Sequence, residues 1–356
     1  MQFKFEKVKT EFYPVEVGFR PNTIMVPLKM AFMFINGGGG DYFTWLRPIQ
    51  WLCQEATWIH GQLFVPDYLL EIANYFISPY PNWKVMSYED MKKVPQDNNT
   101  PLRGPIILEQ QALNATGGHL INCGWVYFCN KEKAPSHNSA FDGLPWHHYP
   151  KFKQSDLDAV GLPEAARDLL PGRYAVITTG VTTPSRNVKP EYWNHVIEYV
   201  KSLGLTPVFL GKRVTTTGNT RNIHTQYSND LKLNLGVDLI DQTTLMQAAS
   251  IMSRAAVVIG HDNGLLHLAG MTEVPIVFSY NLASPEHRRP IRLTDKTYDV
   301  FLRPDELACT FCQSKTNFVI AFNFRQCFYG DLKCMDLLFA NKAEKWRKAI
   351  DDALGT

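Results

Sequence analysis

Several short stretches of the chain carry residue types that can do chemistry, and each sits beside an apolar run. GHDNGLLHLAG, residues 260–270, sets Asp262, Asn263, Gly264 and His267 between AAVVI and VPIVFSY. Asp262 can cap a helix that starts near Gly264, Gly264 lets a ligand come close to that helix end, and His267 lies on the first turns. The same residues also read as a capped helix with a core histidine. TTGVTTPSRNVKPEYW, 178–193, places Thr182, Thr183, Ser185, Arg186 and Lys189 before a helix start. Hydroxyls and cations there suit a diphosphate, and an exposed basic loop is the alternative. GGGGD, 37–41, ends an apolar run with Gly38, Gly39 and Gly40, whose backbone N–H groups can approach a ligand, and with Asp41, a preferred N-cap. It is neither the GxGxxG fingerprint nor a P-loop. Finally, CTFC with two later cysteines gives C-x2-C-x14-C-x6-C over Cys309, Cys312, Cys327 and Cys334. This is a ligand set for a structural zinc, with reduced core thiols as the other reading.

These loops need strands and helices to bring them together. MAFMFI (30–35), QLFV (62–65), WKVM (83–86) and PIILE (105–109) are short apolar runs between helical or polar segments, which predicts a βαβ series in the first half. Residues 110–150 show no period, and 151–172 are polar, end in LPGR and read as an interdomain connection. A second series follows. YAVITTG, TPVFLG, AAVVIG and VPIVFSY read as strands, while PEYWNHVIEYVKSLG, TTLMQAASIMSRA, GLLHLAGM and the tail DLLFANKAEKWRKAIDDALG read as helices. In such sheets the carboxyl ends of the strands hold the ligands.

Composition bounds the function. A chain of 356 residues, 45% of them hydrophobic, can bury two cores. Its 36 basic and 34 acidic residues leave a formal charge of +2, so a broad field for nucleic acid or anionic lipid is absent. The most apolar stretch, MVPLKMAFMFI, is broken by Pro27 and Lys29 and falls short of the ~20 residues that span a bilayer. The N-terminal MQFKFEKVK lacks a signal peptide's hydrophobic segment. A soluble, cytoplasmic protein is expected. Seven cysteines, an odd number, argue against a secreted disulfide framework.

Taken together, GGGGD, the TT loop before KPEYW, and DLIDQTTLMQAASIMSRAAVVIGHDNGLLHLAG followed by VPIVFSYNLASPEHRRP resemble glycosyltransferase family 9, the ADP-heptose lipopolysaccharide heptosyltransferases. The resemblance covers about 172–290 well and 30–60 modestly. It implies an α/β fold of GT-B type, two Rossmann-like domains facing across a cleft. Residues 1–160 would bind the acceptor, 161–335 the donor with a Cys-rich end, and the helix in 336–356 would pack back on the first domain. It further implies that Asp41 is the catalytic base and that Gly38, Gly39 and Gly40 lie with the donor. Thr182, Thr183, Ser185, Arg186 and Lys189 would meet its diphosphate, and Asp262, Asn263, Gly264 and His267 its phosphates and sugar. Two departures stand out. Asn187 occupies the place of a family lysine, so Arg186 or Lys189 must substitute. The family's ribose-binding Glu has no counterpart in LGKRVTTTGN.

The activity so implied is inverting, metal-independent transfer of a sugar from a nucleoside-diphosphate sugar to an acceptor hydroxyl, with no catalytic cofactor. A carboxylate takes the acceptor's proton, and fixed positive charge receives the departing diphosphate. The single Asp-x-Asp, Asp156 to Asp158, lies in the expected connection and not at a strand end. The acceptor is read as a glycan or lipid-linked glycan. One alternative is a hydroxymethylated base in DNA, with the aromatics of GWVYFCN and LPWHHYPKFK stacking on it. Its phosphates would meet Lys84, Lys92, Lys93, Arg103, Lys131, Lys133, Lys151 and Lys153. Others are a non-catalytic nucleotide-sugar binding protein and an epimerase of the same architecture.

Overall fold

The apolar runs form parallel strands, and the strand exits gather the polar loops. The structure is a computed structural model that describes residues 28–33, 59–91, 102–103, 150–167, 172–179, 188–216, 222–224, 236–290, 294–312 and 331–356, with single positions 40, 42, 43, 46, 49, 50, 53, 54, 186, 292 and 327. The chain divides into two units, 1–150 and 151–356.

In the first unit, β1 (Leu28–Met33), β2 (Ile59–Val65), β3 (Trp83–Ser87) and β4 (Leu102–Arg103) pair in the order β3-β2-β1-β4, all parallel. Parallel neighbours require a crossover, supplied between β2 and β3 by α1 (Leu70–Ile77). Ile72, Ala73, Phe76 and Ile77 recur at helical spacing and are the buried face of α1. Gly61 is required where β2 meets β3, because a Cβ there would lie 2.2 Å from the Trp83 ring. The PIILE run falls outside the described residues.

The second unit holds six parallel strands. They are β5 (Tyr174–Thr179), β6 (Thr206–Gly211), β9 (Val237–Asp238), β10 (Val257–His261), β11 (Ile276–Ser279) and β12 (Thr297–Val300), in the order β12-β11-β10-β5-β6-β9. A small antiparallel pair, β7 (Val214–Thr216) and β8 (Asn222–His224), projects after β6. The central strands β5, β10 and β11 are buried on both faces, which is why they read as unbroken apolar runs.

Segment 151–160, expected to close the first domain, belongs to the second unit. Within it α2 (Gln154–Asp158) buries Leu157, whose carbonyl accepts from Ser250 Oγ at 2.7 Å, and Asp158 pairs with Arg254 at 3.0 Å. Further on, α3 (Pro190–Ser202) starts with proline in its first turn and buries Trp193, Val196, Ile197 and Val200. In α4 (Leu245–Ser253) a reciprocal cap fixes the start: Gln247 N donates to Thr244 Oγ1 at 3.3 Å, and Thr244 N to Gln247 Oε1 at 2.9 Å. The short α5 (Gly264–Ala269) leads from β10 towards β11.

α6 (Ala343–Leu354) presents Trp346, Ala349, Ile350 and Ala353, and this stripe lies in the second unit's own core with Trp193, Val277 and Val300. The sheet face needs a cover and the stripe supplies one, so this apolar face is used within the second unit. Trp346 is fully buried, and its Nε1–H donates to Leu338 O at 3.1 Å. Among the described residues no helix is long and apolar enough to cross a membrane.

Candidate functional site

Strand order in the second sheet reverses between β5 and β10: from β5 the chain steps outward to β6, then returns to β10 on the other side. Such a switch point leaves a crevice at the carboxyl ends. Thr178 of β5 faces Gly260 of β10 in the register. A Cβ on Gly260 would lie 2.0 Å from Thr178 Oγ1, so glycine here makes room for that hydroxyl. Asn263 Nδ2 then donates to Thr178 Oγ1 at 2.9 Å, while Asn263 Oδ1 accepts from Leu265 N and Leu266 N at 3.0 and 3.3 Å. Asn263 is therefore the N-cap of α5, with Gly264 as the first helical residue.

Asp262, expected as that cap, does something else. Its backbone N–H donates to Ser279 O at 3.1 Å, and its carboxylate is buried 3.3 Å from Arg186 Nη1. The same nitrogen donates to Asp262 O at 3.2 Å. Burial alone would raise the Asp262 carboxyl, but the positive field of Arg186, then Arg288, His261 and His267, overcomes it and holds the group at about 2. Two guanidinium groups thus surround one carboxylate and leave net positive charge at the strand exits. Asp262 is already spent as a fixed counter-ion, and the amide groups of Leu265 and Leu266 are spent on Asn263.

Arg288 was missed in the sequence. It sits in the turn Pro285–Arg288 after β11, 8% exposed. The signal was the basic pair in SPEHRRP beyond a parallel strand, but the segment has no period to direct attention to it. His267 is buried with its ring edge-on to Phe278 at 5.8 Å. Its neighbour His261 is a packing residue. Burial pushes its imidazole down to about 4, its Nδ1 lies 2.8 Å from Ser279 Oγ, and its ring meets Phe339 at 5.7 Å.

Lys189 is not part of this group. It is the residue before α3, where its Nζ donates to Tyr192 Oη at 3.4 Å and lies 4.0 Å from Asp336. Tyr192 in turn donates to Asp336. Of the glycine loop, Gly40 is helical, as are Tyr42, Phe43, Leu46 and Ile49, which are all buried. Gly38, Gly39, Asp41, Thr182, Thr183 and Ser185 lie outside the described residues.

The structural zinc finds no support. Among the described residues, which include Cys309, Cys312, Cys327 and Cys334, no group of three or more His, Cys, Asp or Glu side chains is arranged to hold a metal ion. Burial pushes the Cys334 thiol up to about 12, and the nearby Cys327, Cys309 and Cys312 add to it. Asn281 Nδ2 approaches Cys334 Sγ at 3.8 Å and Met335 Sδ at 3.0 Å, and Cys327 Sγ faces Asp331 at 3.8 Å. Asp156 and Asp158 lie on α2, where Asp158 serves Arg254 and Gln154. The basic residues invoked for a DNA acceptor divide as well: Lys151 and Lys153 belong to the second unit, with Lys151 paired to Glu273.

Comparison with known proteins fits this geometry. Residues 147–317 match the family model for glycosyltransferase family 9 (heptosyltransferase), which contains the whole switch-point cluster. No curated protein matches the chain by sequence. Solved structures that resemble it include the iron-containing dodecameric glycosyltransferase TibC of enterotoxigenic E. coli H10407, with TM-score 0.62 and 16% identity over 91% of this chain and 76% of TibC. The family 9 glycosyl transferase of Veillonella parvula DSM 2008 gives 0.59 and 14% over 93% of this chain and 98% of that one. E. coli ADP-heptose lipopolysaccharide heptosyltransferase II gives 0.53 and 13% over 91% and 99%. The shared fold is the GT-B type, α/β with parallel sheets. None of these likenesses supports a DNA acceptor.

Proposed function

We propose, from the match of residues 147–317 to the model of glycosyltransferase family 9, that the chain is a glycosyltransferase of this kind, which inverts the anomeric centre of a nucleoside-diphosphate sugar as it transfers the sugar to a glycan hydroxyl, without a catalytic metal. TibC has been captured with ADP-D-β-D-heptose, which makes an ADP-heptose the first donor to try. The observation that carries the reading is the Arg186–Asp262 pair, locked beside Thr178 and Asn263 where the strand order reverses.

In the proposed reaction Asp41 takes the proton of the acceptor hydroxyl as its oxygen attacks the anomeric carbon. The bond from that carbon to the diphosphate oxygen breaks, and the electron pair leaves with the diphosphate. Arg186 and Arg288 face the growing charge, helped by the hydroxyls of Thr182, Thr183 and Ser185. Asp262 acts as a positioning residue that keeps the guanidinium groups in place before the donor arrives, so little reorganisation is needed when charge develops. His267 completes the wall behind Asp262, and Lys189 takes no part in the first contact. The glycines 38–40 keep side chains clear of the donor beside Asp41.

The test is product analysis by mass spectrometry after incubating the full chain with a panel of nucleotide sugars, ADP-heptose first, and glycan or lipopolysaccharide-core acceptors. Release of nucleoside diphosphate with a matching mass gain on an acceptor is expected. Binding of a donor that is never consumed, with or without acceptor, would leave only the non-catalytic binding protein.

A further inference from the structure

The turn Pro285–Arg288 carries Arg288 to the cluster and is too short to hold its own direction. Four residues make one helical turn, which is not stable in isolation, and Ser284 before it supplies no side-chain cap. Arg288 N donates to Ser284 O at 3.2 Å and Arg289 N to Pro285 O at 2.8 Å. These backbone bonds close the turn without fixing where it points. The direction must come from the residues that follow.

Two supports follow. A Cβ on Gly270, at the end of α5, would lie 2.7 Å from Pro290 Cβ, so glycine there lets the chain after the turn close in on α5. Arg289 leaves the helix with φ −58° and ψ 134°, and its guanidinium goes to β12 while Arg288 faces Asp262. Arg289 Nη2 donates to Thr297 O and, at 2.9 Å, to Asp295 Oδ1, and Nε lies 3.6 Å from Asp299 Oδ1. Asp299 stands opposite Phe278 in the register of β11 and β12. Its Oδ1 also accepts from Tyr280 Oη at 3.1 Å. Tyr280 is buried, with its ring stacked on Phe278 at 4.3 Å, and Phe278 is the ring that His267 meets edge-on. One carboxylate thus joins β12, the aromatic pair beside His267, and the residue next to Arg288.

Asp299 is an expensive way to make that joint. Its side chain is 19% exposed, and burial raises its carboxyl in spite of Arg289 and Tyr280. A largely buried ion pair contributes little net stability, and its better-attested use is to fix one geometry. We propose that Asp299 is a positioning residue that acts through Arg289 to hold Arg288 facing Asp262 and the departing diphosphate. This rests on reading the chain as a nucleoside-diphosphate-sugar transferase. With Arg289 held on β12 and Pro290 against Gly270, the backbone of the turn cannot swing, and Arg288 is aimed before the anion arrives.

Calorimetric titration of the full chain with ADP and with inorganic pyrophosphate tests this as a double-mutant cycle. Arg288→Ala should weaken both ligands by about tenfold, as expected for bonds to a charged group. Asp299→Asn should weaken both by about fivefold or more, although removing a carboxylate would by charge alone strengthen the binding of an anion. Arg289→Lys keeps the charge and loses the fork, so it should act in the same direction; its side chain is 38% exposed, and it carries the test if Asp299→Asn does not fold. In the Arg288→Ala background neither substitution should have a further effect, whereas a general loss of structure would weaken binding in both backgrounds alike. Unchanged or tighter binding in the single variants, or equal losses with and without Arg288, overturns the role of Asp299 and leaves the phosphate site standing. A wild type that binds neither ligand overturns this proposal and the transferase reading together.

Discussion

The exits of the two parallel sheets are stabilised in different ways. In the first unit the turn after β3 closes on itself: Ser87 Oγ donates to Asp90 Oδ2 at 2.9 Å, and Asp90 N donates back to Ser87 Oγ at 3.1 Å, three residues apart. In the second unit the exits close on one another. Arg186 reaches Asp262 across 76 residues of sequence and Asn263 reaches Thr178 across 85. Local closure of this kind fixes one turn. Long-range closure ties Arg186, beyond β5, to the exit of β10, so a ligand on one meets the other already in place. That preorganisation suits a site that must receive charge as a bond breaks. It also places the proposed donor site inside one folding unit, beside that unit's core.

The sharpest way to break this contrast is to remove the one function proposed for the first unit's glycine loop while the second unit's cluster stays whole. Asp41→Asn keeps the shape of the side chain and removes the base, so turnover should fall by about 10² to 10⁴. Affinity for the donor, set by Arg186 and Arg288, should change little. Steady-state kinetics beside donor titration separate the two effects. Turnover within a fewfold of wild type would remove Asp41 from the mechanism and move the search for the base elsewhere.

A second test acts on the core beneath the cluster. Trp346 packs against Trp193 at 5.8 Å and Phe339 at 4.8 Å, and Phe339 also touches His261, the residue before Asp262. Trp346→Ala should cost about 3 to 5 kcal/mol of stability, the range for deleting a large buried aromatic. Chemical denaturation of both proteins measures it. A loss below about 1 kcal/mol would mean that α6 is not an integral cover of the second sheet.

The second unit's strands were legible in the sequence because double burial writes itself as unbroken apolar runs: YAVITT, VVIG and IVFS are strands where the pattern puts them. The capping box of Thr244 and Gln247 is equally local. What sequence could not give depends on partners far along the chain. Asp262 and Asn263 are both good caps, and only Thr178 and Arg186 decide which one is used. Arg288 has no local mark of its role, since the charge it faces lies on another strand exit. The tail pattern of α6 is a clear amphipathic stripe, but a stripe does not say which sheet it covers. The cysteine spacing suggested an ion, and spacing alone cannot say whether the side chains are arranged to hold one.

The smallest expected effect separates two adjacent residues of the cluster by acid titration. His261 is buried and its imidazole is held down to about 4 from an ordinary 6.5, with burial as the main cause. Between those values the unfolded chain binds a proton that the folded chain does not. The contribution from keeping His261 neutral is therefore complete above about pH 6.5 and is lost as pH falls through about 4; a shift of that size corresponds to roughly 3 kcal/mol. Asp262 works in a lower window. Burial opposes its ionisation, Arg186 and Arg288 more than compensate, and its carboxyl falls from 3.8 to about 2. Its contribution, roughly 2 kcal/mol, is present above its unfolded value and disappears as pH falls through about 2. Stability of the wild type by urea unfolding at pH 7, 4 and 2 should thus decline in two stages. His261→Gln should flatten the upper stage and leave the lower one. Asp262→Asn should flatten the lower stage, although the whole curve drops because two guanidinium groups lose their counter-ion. If His261→Gln declines as steeply as the wild type between pH 6.5 and 4, the imidazole titrates freely and the interior beside the Arg186–Asp262 pair is wetter than its packing against Phe339 implies.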